Sequence, residues 1–249
     1  MTELSTPAVV LRTRPLREAD LIVVLLTPGR GKVDCIARGA RRSRRRFPGG
    51  LPVGARGEAS LAARGRGSLV PLAGFSPTAD HGSLGRSLEL FAYVAYLCEL
   101  GDQLIGAAIP DPTVFARLCD AIAAAMEATR PEILRRFELG LLDDLGLLPA
   151  LDRCSVCGSP VDEQGGEVAF SHERGGALCL AHSKAARRIP AAVLELAGAL
   201  LDPNAGAGPY ATAEADTRRA LRDLCRESIG PHLRGPLHSL GFFAQIARP

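Results

Sequence analysis

The sequence predicts a multi-domain α+β protein: an N-terminal five-stranded β-barrel, followed by an α-helical bundle with a cysteine–histidine knuckle embedded in it. Three observations carry that prediction. Short apolar runs separated by Gly and Pro fill the first 80 of 249 residues. Beyond His81 the apolar positions recur at helical spacing. Among the helical stretches stand two ligand pairs at metal-knuckle spacing. The expected division is 1–80 for the barrel, 81–150 and 184–249 for the two helical parts, and 151–183 for the knuckle. At 47% hydrophobic, a chain of this length can bury a core of its own.

In the barrel region, Ala8–Leu11 is a short apolar strand. Leu21–Leu26 is a continuous apolar run, the pattern of a strand covered on both faces. Pro28-Gly29 turns the chain. From Lys32 to Arg38, Val33, Cys35 and Ala37 alternate with mostly polar neighbours. Gly49-Gly50 and Pro52 punctuate the next stretch, Glu58–Ala63 is a weaker strand, and Leu69–Phe75 is the fifth. Five short strands suggest a small barrel or sandwich, and an oligonucleotide/oligosaccharide-binding (OB) barrel is the economical form.

The second region opens with Ser83 as a cap for a helix carrying Leu84, Leu88, Phe91, Ala95 and Cys98. Leu90, Val94 and Leu97 add another stripe, so this helix should sit in the middle of the helical module. Asp111-Pro112 opens a helix with Val114, Leu118 and Ile122 on one face. Thr129-Arg130-Pro131-Glu132 reads as a capping box for a third helix that ends near Leu148-Pro149. Helices resume at Ala191–Leu201 and Ala215–Ile229, and a last apolar one covers about Leu237–Ile246.

Charge is unevenly placed. Residues 1–80 hold 14 Lys/Arg against 6 Asp/Glu, and the remainder holds 16 against 21, so a net +3 conceals a basic first third. Most of that charge falls in Gly31–Phe47, where Lys32, Arg38, Arg41, Arg42, Arg44, Arg45 and Arg46 meet one acid, Asp34. No hydrophobic core accepts such a run; it needs water or a polyanion. A nucleic-acid backbone suits it, because each docked cation releases condensed counterions. The plain alternative is a solvated loop that keeps the protein soluble. Lys184, Arg187 and Arg188 either extend the basic surface or complement a helix end.

The first 80 residues contain no Trp or Tyr and only two Phe, Phe47 and Phe75. Base stacking is then a minor term and phosphate contact the major one, so binding should be blind to sequence and accept single- and double-stranded DNA alike.

The knuckle reads Cys154-Ser-Val-Cys157 and Cys179-Leu-Ala-His182. Two pairs of soft-to-borderline ligands form the tetrahedral set that zinc prefers, and Gly158 lets the first pair turn. Four protein ligands leave no position for water, so the expected cofactor is one structural Zn2+. His172 competes with His182 but lacks a partner at ligand spacing. A zinc deaminase needs an HxE segment and a PCxxC, and neither occurs. HExxH, a Walker loop, GxGxxG and GxSxG are also missing. A binding protein is expected, not an enzyme. Cys35, Cys98, Cys119 and Cys225 read as small core residues. No apolar run reaches the roughly 20 residues of a membrane span, and MTELSTPAVV lacks a signal pattern, so a cytoplasmic location is expected, without membrane contact.

Two stretches carry a family resemblance: Arg14-Pro-Leu-Arg-Glu-Ala-Asp-Leu-Ile-Val-Val-Leu-Leu-Thr-Pro28, continued by Gly29–Lys32 and Ala37-Arg-Gly-Ala-Arg-Arg42, and Leu145-Gly-Leu-Leu-Pro-Ala-Leu-Asp-Arg-Cys-Ser-Val-Cys-Gly158. With these the chain resembles, essentially from end to end, the RecO family of bacterial recombination mediators. The resemblance implies an OB domain, a helical domain and a zinc knuckle. It implies binding of single- and double-stranded DNA, annealing of complementary strands, and, with RecR, loading of RecA onto strands coated by single-stranded-DNA-binding protein, whose acidic C-terminal tail is recognised. A nucleoid-associated location goes with it. It assigns DNA binding to Lys32, Arg38, Arg41 and Arg42; charge alone extends this to Arg44, Arg45 and Arg46. His182 stands where zinc-bearing members commonly have cysteine. An RNA-binding accessory factor with a structural zinc is the alternative function, and an adaptor with a solubilising loop is a third.

Overall fold

The computed structural model describes residues 3–62, 69–78, 81–161 and 163–246; Ala63, the end of the expected fourth strand, lies outside them. The chain forms two compact units, one from residues up to 130 together with those from 233 onward, the other from residues 131–232.

In the first unit, β1 (Glu3–Pro15), β2 (Leu21–Thr27), β3 (Gly31–Ala37), β4 (Arg56–Ala62) and β5 (Val70–Pro77) close into a barrel in the order β1-β2-β3-β5-β4. Closure depends on the length of β1. Its first half pairs with β4 (Leu4 opposite Leu61) and its second half with β2 (Thr13 opposite Val23). The register slips between Val10 and Arg12, a bulge that bends the strand from one neighbour to the other. Side chains alternate across the wall: Val23 and Leu25 join the interior with Val10, Cys35, Leu61 and Phe75. The other face of β1 and β2 is covered by helices, which explains why the apolar run of β2 has no polar face.

α1 (Leu88–Leu104) begins later than the sequence suggests. Ser87 caps it, accepting from the Leu90 N–H at 3.2 Å, and Leu84 lies in a preceding 3-10 turn. The helix belongs to the barrel's unit and not to the middle of a separate helical module. Its placement has a packing cause: at Gly54, with φ +82°, a Cβ would stand 2.1 Å from Val94 Cγ1, so barrel backbone and helix meet directly. α2 (Pro112–Glu127) starts where expected, with the Asp111 carboxylate accepting from the Thr113 and Val114 N–H groups at 3.0 Å. The C-terminal helix, Leu240–Ile246, returns to α1, where Phe242 meets Phe91 edge-on at 5.0 Å.

In the second unit, α3 (Pro131–Asp144) stops before the expected Leu148-Pro149. Gly146 takes φ +68° and Leu147 N–H donates to Leu142 O at 2.7 Å, a glycine-dependent stop. β6 (Glu167–Ser171), β7 (Gly176–Leu178) and β8 (Arg187–Pro190) form a sheet in the order β7-β6-β8. The helices α4 (Ala191–Leu201), α5 (Gly208–Thr212) and α6 (Ala215–Ile229) complete the unit. Phe170, Leu139, Leu196 and Leu221 meet in its core. No helix among the described residues is long and apolar enough to cross a membrane.

Phe47 is 1% exposed and packs in the barrel interior. Truncating Phe47→Ala should cost about 3–5 kcal/mol, measured as a lowered midpoint in urea unfolding.

Candidate nucleic-acid interface and metal centre

The residues after β3 fold into successive turns held at both ends. Near the start, Gly39 N–H donates to Asp20 Oδ1 at 2.8 Å and Arg41 N–H to Ala19 O at 3.1 Å. At the far end Phe75 N–H donates to Arg46 O at 2.9 Å, and Phe47 enters the barrel core. Between these anchors Arg38, Arg41, Arg42, Arg44, Arg45 and Arg46 are all exposed. The structure thus gathers six of the seven expected cations on one short loop.

Little of that charge is neutralised internally. Arg42 pairs with Glu18, but the two side chains are 67% and 84% exposed, so the pair is worth at most about 1 kcal/mol and readily exchanges for another anion. Arg41 donates to the Glu18 carbonyl at 3.2 Å. Arg46 donates to Arg38 O at 2.7 Å and stacks over Phe47 with its guanidinium 5.4 Å from the ring centre. Arg38, Arg44 and Arg45 have no carboxylate partner among the described residues.

Lys32 departs from the expectation. It is 8% exposed, and its ammonium donates to Asp102 O at 2.5 Å and lies 3.3 Å from Asp102 Oδ1. Burial lowers its pKa, with Asp102 working in the opposite direction. Alternation placed Lys32 on a strand end, but helix α1 supplies the partner that closes over it.

Two cations escaped the sequence reading. Arg14, at the end of β1, and Arg17, on the β1–β2 connection whose residues 18–20 bind the arginine loop, are both exposed. Arg14 faces Ile22, and Ile22 in turn faces Ile36, two residues before Arg38. Only strand register reveals this adjacency. Phe47 and Phe75, both 1% exposed, offer no ring for base stacking.

Lys184, Arg187 and Arg188 lie in the second unit. Lys184 is exposed. Arg187 binds Glu227 at 2.5 Å, and Arg188 lies 3.6 Å from Glu167. Burial pushes the Glu227 carboxyl up, but Arg187 and His172 outweigh it and hold the group below its usual range. His172, bound to Glu227 at 3.0 Å, is therefore not a ligand competitor.

The knuckle residues converge. Gly158, at φ +73°, donates to Cys154 O at 2.8 Å and so folds Cys157 back towards Cys154. A 3-10 turn over Leu180–His182 brings His182 Nδ1 to 3.3 Å from Cys179 Sγ. Cys157 Sγ is 3.8 Å from Cys179 Sγ, and Cys154 Sγ is 3.6 Å from His182 Nδ1. All four donor atoms lie within 4.8 Å of one another. With metal–sulfur bonds of about 2.3 Å and metal–nitrogen bonds of about 2.0 Å, a tetrahedron has edges of roughly 3.8 and 3.5 Å, so the donors fit one ion. Burial opposes ionisation of Cys154, but N–H groups of Cys179, Cys157 and Val156 directed at its sulfur bring the thiol down to about 5. By contrast, burial raises Cys35 to about 12 and Cys119 to about 11, as inert packing thiols.

A closed five-stranded barrel bearing a cationic loop, joined in one chain to a Cys3His centre, defines an OB-type protein with a metal knuckle. The family model "Recombination protein O N terminal" matches residues 1–79, and "Recombination protein O C terminal" matches residues 85–241. A DNA repair protein RecO from Anaeromyxobacter dehalogenans (strain 2CP-C) is 37% identical over 252 residues, covering 99% of this chain and 98% of that protein. Its counterpart from Anaeromyxobacter sp. (strain K) is 36% identical, covering 94% of each. That from Myxococcus xanthus is 33% identical, covering 96% of each. The chain belongs to the RecO family, and its role lies in DNA repair and recombination.

Elemental analysis should find one metal ion per chain. Cys154→Ala should abolish it, and strong chelators should lower the melting temperature of the native protein, because binding energy of structural ions, on the order of 10 kcal/mol in small peptides, is folding energy.

Proposed function

We propose that this chain is a non-enzymatic recombination mediator that grips DNA through phosphate contacts, without regard to base order. The observation that carries the reading is the loop of six exposed arginines, pinned by Phe47 and, among the described residues, opposed by the Glu18 carboxylate alone. With no exposed aromatic ring on that loop, the bases stay free. A surface that screens two backbones while leaving bases unstacked favours annealing of complementary strands. Family membership supports the further steps: partnership with RecR, recognition of the acidic tail of single-stranded-DNA-binding protein, and, indirectly, loading of RecA. The metal is zinc with a structural role, since three cysteines and a histidine complete its tetrahedron. The DNA-binding set is Arg38, Arg41, Arg42, Arg44, Arg45 and Arg46, joined by Arg14 and Arg17. Lys184, Arg187 and Arg188 are secondary, because Arg187 and Arg188 already hold carboxylates. The domain division at 80, 150 and 183 and a cytoplasmic, nucleoid-associated location belong to the same proposal.

Reversal of Arg41, Arg42, Arg44 and Arg45 to Glu should abolish annealing of complementary oligonucleotides while metal content and circular dichroism stay unchanged. Lys32→Met should leave DNA affinity intact; a matching loss there would return Lys32 to the interface.

If about five arginines engage phosphates of a single strand, log K should fall against log[salt] with a slope of about −3.5, and alanine at Arg14 and Arg17 should each reduce its size by about 0.7. A slope near zero contradicts the electrostatic grip. Phosphate contacts alone also suit RNA. Competition between DNA and RNA of equal length separates the two, and a preference for RNA would favour an RNA-binding accessory role.

A further inference from the structure

We infer that an apolar groove in the second unit, between α4 and residues 146–152 after α3, is a docking site for a cationic amphipathic segment of a partner protein. The inference is independent of the DNA-binding loop, which lies in the other unit.

The groove encloses about 760 Å³, the scale of sites that bury large apolar groups. Its floor is made by Leu148, Leu151, Val161 and Leu201, which pack on the unit's core yet remain half-buried. Its rim carries Asp143, Asp152, Glu163 and Glu195, all exposed, and no basic side chain among the described residues lines it. None of these four carboxylates is ion-paired to a described residue, so their field is available to a visitor.

That chemistry selects the occupant. Phosphates and anionic lipid headgroups are repelled by the rim, which excludes nucleic acid and membrane. Large apolar side chains satisfy the floor and flanking Lys or Arg satisfy the rim, the arrangement of an amphipathic helix laid in a groove. The wall is shaped for close approach. Gly198 sits inside α4, where alanine would favour the helix, and a Cβ there would meet nothing within 4 Å. A second copy's arginine loop has the right charge but no anchor, because its one large apolar side chain, Phe47, is sequestered in the barrel.

The test uses the full chain and a panel of fluorescent peptides of about 18 residues, five helical turns, with Leu at i, i+3, i+4 and i+7 and Lys elsewhere. Control peptides replace Leu with Ser or Lys with Glu. Leu/Lys peptides should bind in the micromolar range. The pair Glu163→Lys with Glu195→Lys should weaken them by about tenfold or more, and Gly198→Phe should do the same without changing charge. Both variants should keep the native melting transition and native affinity for DNA. Three outcomes overturn the proposal: Ser controls binding as tightly as Leu peptides, indifference to Gly198→Phe, or no peptide binding below about 1 mM. A self-associated state in ultracentrifugation that Gly198→Phe dissociates would assign the groove to a second copy and overturn the choice of a separate partner.

Discussion

A run of like charges cannot be buried, and a run of solvated residues has little to hold it in one shape. The insertion of Phe47 into the barrel core resolves that conflict, and the rest of the cationic surface depends on it. Without an anchor, ordering the loop would cost on the order of 1 kcal/mol or more per residue in backbone entropy, with no apolar burial to offset it. With Phe47 inside and Gly39, Arg41 and Arg46 tied through the backbone to the β1–β2 connection and β5, the arginines occupy a fixed surface. Their mutual repulsion is left for a polyanion to relieve.

The same rule of desolvation sorts the other cations and thiols. Lys32 belongs to the same basic stretch of sequence as the arginines, yet it is enclosed, because Asp102 offers both a carboxylate and a carbonyl. Asp102 also accepts from Arg12 at 2.8 Å and, through its carbonyl, from Arg234, so one residue of α1 gathers cations from two strands and the returning C-terminal segment. Among the thiols, burial without donors keeps Cys35 and Cys119 protonated, whereas backbone N–H groups make Cys154 ready to ionise as a metal ligand. Local environment, not residue type, separates enclosed cations from exposed ones and inert thiols from ionisable ones here.

The second unit shows how a small sheet and a Cys3His cluster able to hold a metal ion can share a scaffold. Ser155 N–H donates to Ala177 O, linking the first knuckle to β7, and Cys179 follows that strand directly. The hairpin of β6 and β7 therefore positions two ligand pairs with 21 residues between them in sequence. β8, read from the sequence only as basic residues, completes the sheet by pairing Ile189 with Val168. The acidic groove lies between α3's end and α4, on the same unit.

Most of the architecture was legible because it is written at short range. Strand alternation, the helix starts at Asp111 and Pro190, and the four ligands depend on neighbours within a few residues, and their expected positions lie close to those observed. The misreadings have long-range causes. The helix at residue 88 packs against α2 and the C-terminal helix, as its all-round apolar pattern suggested, but its contact with Gly54 also sets it on the barrel and so in the barrel's unit. Nothing in that pattern says that one of the surfaces it covers is a barrel. Arg14 joined the cationic face through strand register and Arg17 through the connection whose residues 18–20 hold the loop, while Lys32 left it through a partner 70 residues away. By itself, then, the sequence determined the kinds of element, the metal donors and the concentration of positive charge, since each follows from residue type and spacing. Which cations face water and which are enclosed was decided only by the tertiary structure, because desolvation depends on what the fold brings from elsewhere in the chain.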